Sequence, residues 1–304
     1  MPLFKNVGNK IELIKEHPFK LEKDIQKIVE NNLDSLLGLK LVRSEFQIGS
    51  LRIDTLAYDK DAQSFVVIEF KKGSNYSVVD QGMSYLGLML NNKADFILEY
   101  NEKCNGSLKR EDIDWSQSRV IFISPSFTTF QIEAINFKDL PIELWEVKRY
   151  SNRTLRFDQH KPASATATIK TVSKKSPTVD AISREVKTYT ENEHLKIAEP
   201  KTVELYNRFK ELVLTISPEI TVKPMKQYIA FRGTTNISDV VVLTKSLKIF
   251  INLTKGKLDD PKNIVRDVSK IGHWGNGDYE MHLKSEDEIE YIISLVRQSY
   301  KING

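Results

Sequence analysis

Two acids and a lysine are spaced so that they can meet. Residues 51–59 read LRIDTLAYD and residues 65–73 read FVVIEFKKG. Both are rich in β-branched and aromatic residues, and both are interrupted by charge. A charge inside a strand bound for a core is costly unless it is paired or binds a metal. Glu69 and Lys71 are two apart, so on a strand they point to the same face. Asp54 lies in the preceding segment, with fourteen residues between it and Glu69. If the two strands pair, one acid from each and one ammonium come to one spot. Two carboxylates sharing a site repel unless a divalent cation lies between them. Oxygen ligands with no Cys or His nearby suit Mg²⁺ or Mn²⁺. A lysine beside such an ion can orient or deprotonate a water, or stabilise charge on a phosphate. Gln81 and Tyr85 follow four apart, on one helix face with Val78 and Leu88.

The plainer alternative is a Glu69–Lys71 salt bridge on an edge strand, with Asp54 beside a turn. The apolar flanks Val66, Val67, Ile68 and Phe70 argue against an exposed edge. The ordered set, R-x-D at 52–54, apolar-E-x-K at 68–71 and Q-x3-Y at 81–85, resembles the active-site pattern of the PD-(D/E)XK nuclease superfamily. It is most similar to the branch holding single-strand and mismatch-directed endonucleases of archaeal and actinobacterial type, where a Q-x3-Y helix follows the E-x-K strand. The resemblance covers residues 20–150 or so. It departs at Ile53, where many members have Pro.

That resemblance implies a metal-dependent endonuclease hydrolysing DNA phosphodiesters, DNA rather than RNA. Asp54 and Glu69 would hold Mg²⁺ or Mn²⁺ with the Phe70 carbonyl. Lys71 would position the attacking water, Gln81 would orient that water or a phosphate oxygen, and Tyr85 would support it. Arg52, Tyr85 and Lys72 are the candidate substrate contacts; Arg52 shares the strand face of Asp54, where it clamps a phosphate or pairs with an acid. Glu22 matches the position from which the first helix contributes an acid to the metal, or it is a first-turn Glu favoured by the helix dipole. One site cuts one strand, so duplex breaks need a homodimer or two encounters. The same fold with relic acids would instead be a nucleic-acid or protein binding module.

The elements that must position these residues follow from periodicity. A lead-in strand or loop is expected over 1–17. Leu21, Ile25, Ile28, Val29, Leu33, Leu36 and Leu37 recur at helical spacing up to Gly38. Strands are expected at 40–48, 50–58 and 64–72, a helix at 77–91, a strand at 94–100, a polar loop at 101–117, a strand at 120–124, a helix at 127–137 and a strand at 142–147. From Asn152 the composition turns to Ser, Thr, Ala, Lys and Pro, which cannot bury enough apolar area to order itself. The expected fold is therefore α/β: a restriction-endonuclease-like mixed sheet flanked by helices over 1–150, a flexible linker over 151–182, and a smaller α+β domain over 183–304. That last part resembles a small C-terminal domain of unknown function found in similar bacterial proteins, and it could recognise a partner and deliver the first domain to it. Its expected elements are helices at 186–195 and 203–216, strands at 225–233, 237–244 and 247–253, a short helical piece near Val265 and a final helix after Ser285. The loop GHWGNGD at 272–278 could offer His273 and Trp274 to a base, or simply be packed by Trp274.

Composition bounds the rest. The 304 residues, 40% hydrophobic and 28% charged, are those of a globular protein large enough for two domains. The single Cys104 excludes an internal disulfide and fits a reducing cytosol. The first residues lack an apolar signal-peptide core, and no run approaches the roughly 18 apolar residues of a membrane span, so a cytoplasmic protein with no membrane partner is expected. Residues 1–150 carry 20 basic and 22 acidic side chains, 151–200 carry 9 and 6, and 201–304 carry 16 and 13. Much of any attraction for phosphate would then come from outside the first domain.

Overall fold

The computed structural model describes residues 2–49, 51–73, 77–137, 140–160, 182, 184–272 and 275–304. The chain divides into two compact units, Met1–Thr188 and Tyr189–Gly304. The fold is mixed α/β in the first unit and an antiparallel sheet with helices in the second. Among the described residues no helix is long and apolar enough to cross a membrane.

The first unit opens with a two-stranded hairpin, β1 (Leu3–Val7) and β2 (Lys10–Ile14). Helices α1 (Glu22–Glu30) and α2 (Leu33–Leu37) follow as two pieces of the expected single helix. Gly38 ends the second with φ +66°, a left-handed cap that glycine adopts without strain. Strands β3 (Lys40–Ile48), β4 (Leu51–Asp59) and β5 (Ser64–Phe70) form an antiparallel meander. Helix α3 (Val78–Asn91) starts at Ser77, whose hydroxyl accepts from the Asp80 amide. Helix α4 (Lys93–Cys104) comes next, then β6 (Arg119–Ser124), α5 (Thr129–Ala134), β7 (Ile142–Arg149) and β8 (Leu155–His160).

The sheet order is β3-β4-β5-β6-β7-β8, with β5, β6 and β7 parallel and the outer pairs antiparallel. Alternation assigns its two faces. Val66, Ile68, Phe70, Ile121 and Ile123 pack against Ile25, Val29, Leu33 and Leu37 of α1 and α2. Phe65, Val67, Val120 and Phe122 pack against Leu86, Met89 and Phe96 of α3 and α4. Every residue of β5 is buried, so Glu69 enters the core layer between sheet and α3.

Two expectations fail here. Residues 94–100 are helix, not strand: Phe96, Ile97 and Tyr100 share one buried helical stripe while Leu98 between them is 56% exposed. Residues 155–160 are not linker: Leu155 and Phe157 alternate with polar residues and pack beside Val147, so this segment adds a strand to the sheet edge. The first unit also keeps in its core Ile182, from the expected linker, and Val186, from beyond the expected start of the second domain at 183. The expected linker from 161 to 181 lies outside the described residues.

The second unit holds α6 (Glu191–Leu195), α7 (Pro200–Leu214), β9 (Thr221–Pro224), β10 (Ile229–Arg232), β11 (Asn236–Val242), β12 (Leu247–Ile251), β13 (Arg266–Asp267), β14 (Tyr279–Leu283) and α8 (Ile289–Asn303). The sheet is antiparallel throughout, in the order β13-β14-β12-β11-β10-β9. Helices α7 and α8 cover one face, with Phe209 meeting Phe231 edge-on at 5.5 Å. The piece near Val265 is the short strand β13 rather than helix. His273 and Trp274 lie outside the described residues.

Candidate active site in the first unit

Parallel strands place functional groups at their carboxyl ends, where a cleft opens beyond the sheet. Here β5 ends on Glu69, Phe70 and Lys71, and α1 and α3 both begin beside that end. A cleft of about 530 Å³ opens there, lined by Glu22, Gln47, Leu51, Arg52, Asp54, Glu69 and Lys71.

Antiparallel pairing carries β4 past β5 with Thr55 opposite Ile68, which sets Asp54 beside the end of β5. The Phe70 amide donates to Asp54 Oδ2 at 3.0 Å. A residue's N–H and C=O leave the same edge of a strand, so the Phe70 carbonyl faces that flank too. Lys71 Nζ donates to Glu69 Oε1 at 2.6 Å, and Gln81 Nε2 donates to the same oxygen at 3.1 Å. The other oxygen, Glu69 Oε2, is buried and has no hydrogen-bond partner among the described residues. Gln81 reaches Glu69 because α3 lies close on the sheet. At its neighbour Gly82, a Cβ would sit 2.5 Å from Ile142 Cδ1.

Electrostatics follow the geometry. Burial and the Glu69 charge push the Asp54 carboxyl up to about 6, with Glu45 adding to the rise and the Phe70 amide and Lys71 opposing it. Burial, and then the negative charge of Glu69, push the Tyr85 phenol well above its ordinary range. The Tyr85 hydroxyl lies against Glu69, donates to the Arg52 carbonyl and accepts from Gln81, the last two at 3.4 Å.

Most of the predicted residues fall into two groups. Asp54, Glu69, Lys71, Arg52 and Glu22 line the cleft. Gln81 and the buried Tyr85 stand behind Glu69 and brace it. Glu22 Oε1 accepts from the Lys72 amide at 2.7 Å, tying the start of α1 to the end of β5. Lys72 turns away, its Nζ donating to the Lys20 carbonyl at 2.7 Å. Arg52 pairs with Glu45 at 3.0 Å and is largely exposed at the cleft rim. The oxygen donors that could hold a metal are the Asp54 and Glu69 carboxylates, the Phe70 carbonyl and Glu22. Among the described residues no three His, Cys, Asp or Glu side chains converge on one point, so an ion here would draw on the carbonyl and on water.

Three residues at the site escaped the motif. Gln47 lies opposite Arg52 across the β3–β4 pair and lines the cleft. Glu45 holds Arg52 from a backbone with φ +53°, a left-handed conformation within a strand. Gln26 reaches Asp54 from α1. The hairpin register would have found Gln47, and the i,i+4 spacing from Glu22 would have found Gln26.

Comparison with known proteins bears on the chain as a whole. An uncharacterized protein of Haemophilus influenzae is 50% identical over 301 residues, covering 99% of this chain and 100% of that one. The chain belongs to the family of that protein. Residues 191–303 of this family member match the model of a domain of unknown function, DUF5655. A solved EndoMS–dsDNA2 complex is similar at 17% identity with a TM-score of 0.29, over 45% of this chain and 51% of that one. The chain thus spans about half of that structure, and the likeness is too slight to carry an argument about function.

Proposed function

We propose that the first unit is a divalent-cation-dependent endonuclease acting on DNA phosphodiester bonds. The observation that carries this reading is Glu69: a buried carboxylate with one oxygen fixed by Lys71 and Gln81 and the other without a hydrogen-bond partner among the described residues, beside a second acid whose ionisation it opposes. A buried, unpartnered carboxylate oxygen is costly in a core and is kept where something else meets it. The donors are all hard oxygens, which suits Mg²⁺ or Mn²⁺. Asp54, Glu69 and the Phe70 carbonyl would hold the ion, with Glu22 at the cleft wall. When bound, it supplies charge stabilisation for the phosphate and the leaving oxygen.

The protein's own groups supply orientation. Lys71 is held by Glu69 with its amine at the cleft, where it can donate to an attacking water or a phosphate oxygen. Gln81 and Tyr85 keep the Glu69 carboxylate from rotating, so their contribution is preorganisation. Arg52, exposed at the rim, offers a guanidinium to the phosphate backbone once it leaves Glu45. Choice of DNA as the polymer rests on the resemblance of the ordered R-x-D, E-x-K and Q-x3-Y set.

The test is metal binding by the metal-free protein. Mn²⁺ raises the melting temperature of the wild type, and Asp54→Asn and Glu69→Gln abolish the gain. A wild type indifferent to Mn²⁺ and Mg²⁺ would instead favour a binding module whose acids are relics.

A further inference from the structure

Behind Asp54 lies a polar cluster that the motif does not contain. Gln26, on α1, is a buried side chain at 6% exposure. Its Nε2 donates to the Asp54 main-chain carbonyl at 2.9 Å, and lies 3.1 Å from Glu30 Oε1 and 3.3 Å from Ser44 Oγ. Glu30 Oε1 also accepts from the hydroxyl of Thr55, which is fully buried. One helical turn earlier, Glu22 binds the amide of Lys72. Helix α1 therefore grips the strand that carries Asp54 and the end of the strand that carries Glu69, using two side chains four residues apart. The strand ladder cannot do this: the β4–β5 pairing runs only to Thr55 and Ile68, so both acids lie past its end.

We propose that Gln26 is a positioning residue for the acid pair, acting through the Asp54 carbonyl, and that α1 is the brace that sets the Asp54-to-Glu69 spacing. The proposal rests on the reading of the site as a cation-dependent nuclease. Gln26 is fit for the task because its amide carries two donors for three nearby acceptors, and no apolar side chain of its size offers any. Removing it takes this side-chain donor from the Asp54 carbonyl and one of two donors from Glu30, which keeps the Thr55 hydroxyl. Outer residues that orient ligands in this way typically change affinity or rate about 10- to 100-fold.

The experiment compares wild type, Gln26→Met, Gln26→Asn and Thr128→Ala in the full chain. Met keeps the volume and loses the donors; Asn keeps the amide and is one methylene too short. Thr128 caps α5 through the Gln131 amide, so its loss destabilises the same unit without touching the acids. Two quantities are read: the rise in melting temperature with Mn²⁺ alone, and kcat on labelled DNA, with KM as its companion. Gln26→Met is expected to reduce the Mn²⁺ response and to lower kcat about 10-fold or more with KM within about twofold. Gln26→Asn follows in the same direction, and it keeps the comparison valid if the Met variant does not fold. Thr128→Ala leaves both quantities unchanged. Wild-type values of Mn²⁺ response and kcat in a folded Gln26 variant would overturn the proposal while leaving the nuclease reading intact. A wild type with neither Mn²⁺ response nor cleavage would overturn both.

Discussion

Replacing Asp54 by Asn should stabilise the metal-free protein, because the fold holds this carboxyl against its own ionisation. The carboxyl is moved from an ordinary 3.8 to about 6 by burial and by Glu69. The folded protein thus keeps the Asp54 proton up to pH 6, while the unfolded chain releases it near pH 4. Between those values the native state binds more protons, so the stabilising share of Asp54 is complete below pH 4 and is lost as pH rises through 6. The full difference corresponds to about 3 kcal/mol. Because the cleft is open to solvent, screening reduces this to about 1–2 kcal/mol. Asn keeps the acceptor for the Phe70 amide and removes the charge. The expected gain at pH 8 is then about 1–2 kcal/mol, or roughly 2–8 °C for a unit of this size. The assay is thermal unfolding in a chelator at half-unit steps from pH 4 to 8. The variant should show a flatter profile than the wild type between pH 4 and 6, its advantage growing across that interval and staying constant above it. Equal or lower stability at pH 8, with the wild-type slope retained, would refute the placement of Asp54 as a strained acid beside Glu69.

Other outcomes follow from the same geometry. With Mn²⁺ at 100 times its dissociation constant, the wild type should gain about 2.7 kcal/mol, and calorimetry should find no such gain in Asp54→Asn or Glu69→Gln. Gly277→Ala should destabilise the second unit by about 1–3 kcal/mol, read by urea unfolding. Gly277 has φ +84°, and a Cβ there would lie 2.2 Å from the Ile251 carbonyl oxygen. Phe209→Ala should cost that unit about 3–5 kcal/mol, because the ring is fully buried against Phe231.

Much of the fold was legible because its strands obey simple periodicity. β3, β4, β5 and β6 fall where β-branched runs end in turns, and Ser77 announces α3. The helix α4 was hidden because ADFILEY is apolar and aromatic enough to read as a strand. Only the stripe of Phe96, Ile97 and Tyr100 betrays the helical period. The strand β8 was hidden for the opposite reason. Arg156, Asp158 and Gln159 make its composition polar, and an edge strand needs only Leu155 and Phe157 on its inner side. At the site, the acids and Lys71 announced themselves as charges inside apolar strands. Gln26, Gln47 and Glu45 did not, because a glutamine or a glutamate is unremarked until its partner is known. Gln81 was read as orienting the water or a phosphate oxygen with Tyr85 in support, and in the structure Gln81 Nε2 donates to Glu69 Oε1 and to the Tyr85 hydroxyl.

The central claim is that Lys71, held on Glu69 at the mouth of the cleft, serves phosphodiester hydrolysis. The most direct measurement is cleavage of labelled single-stranded, duplex and branched DNA with Mn²⁺ or Mg²⁺, beside Lys71→Ala. Metal-dependent cutting by the wild type and a loss of about 10²-fold or more in the variant are expected. Cutting at an equal rate by both proteins, or none by a wild type that binds Mn²⁺ and each of these DNAs, would contradict it.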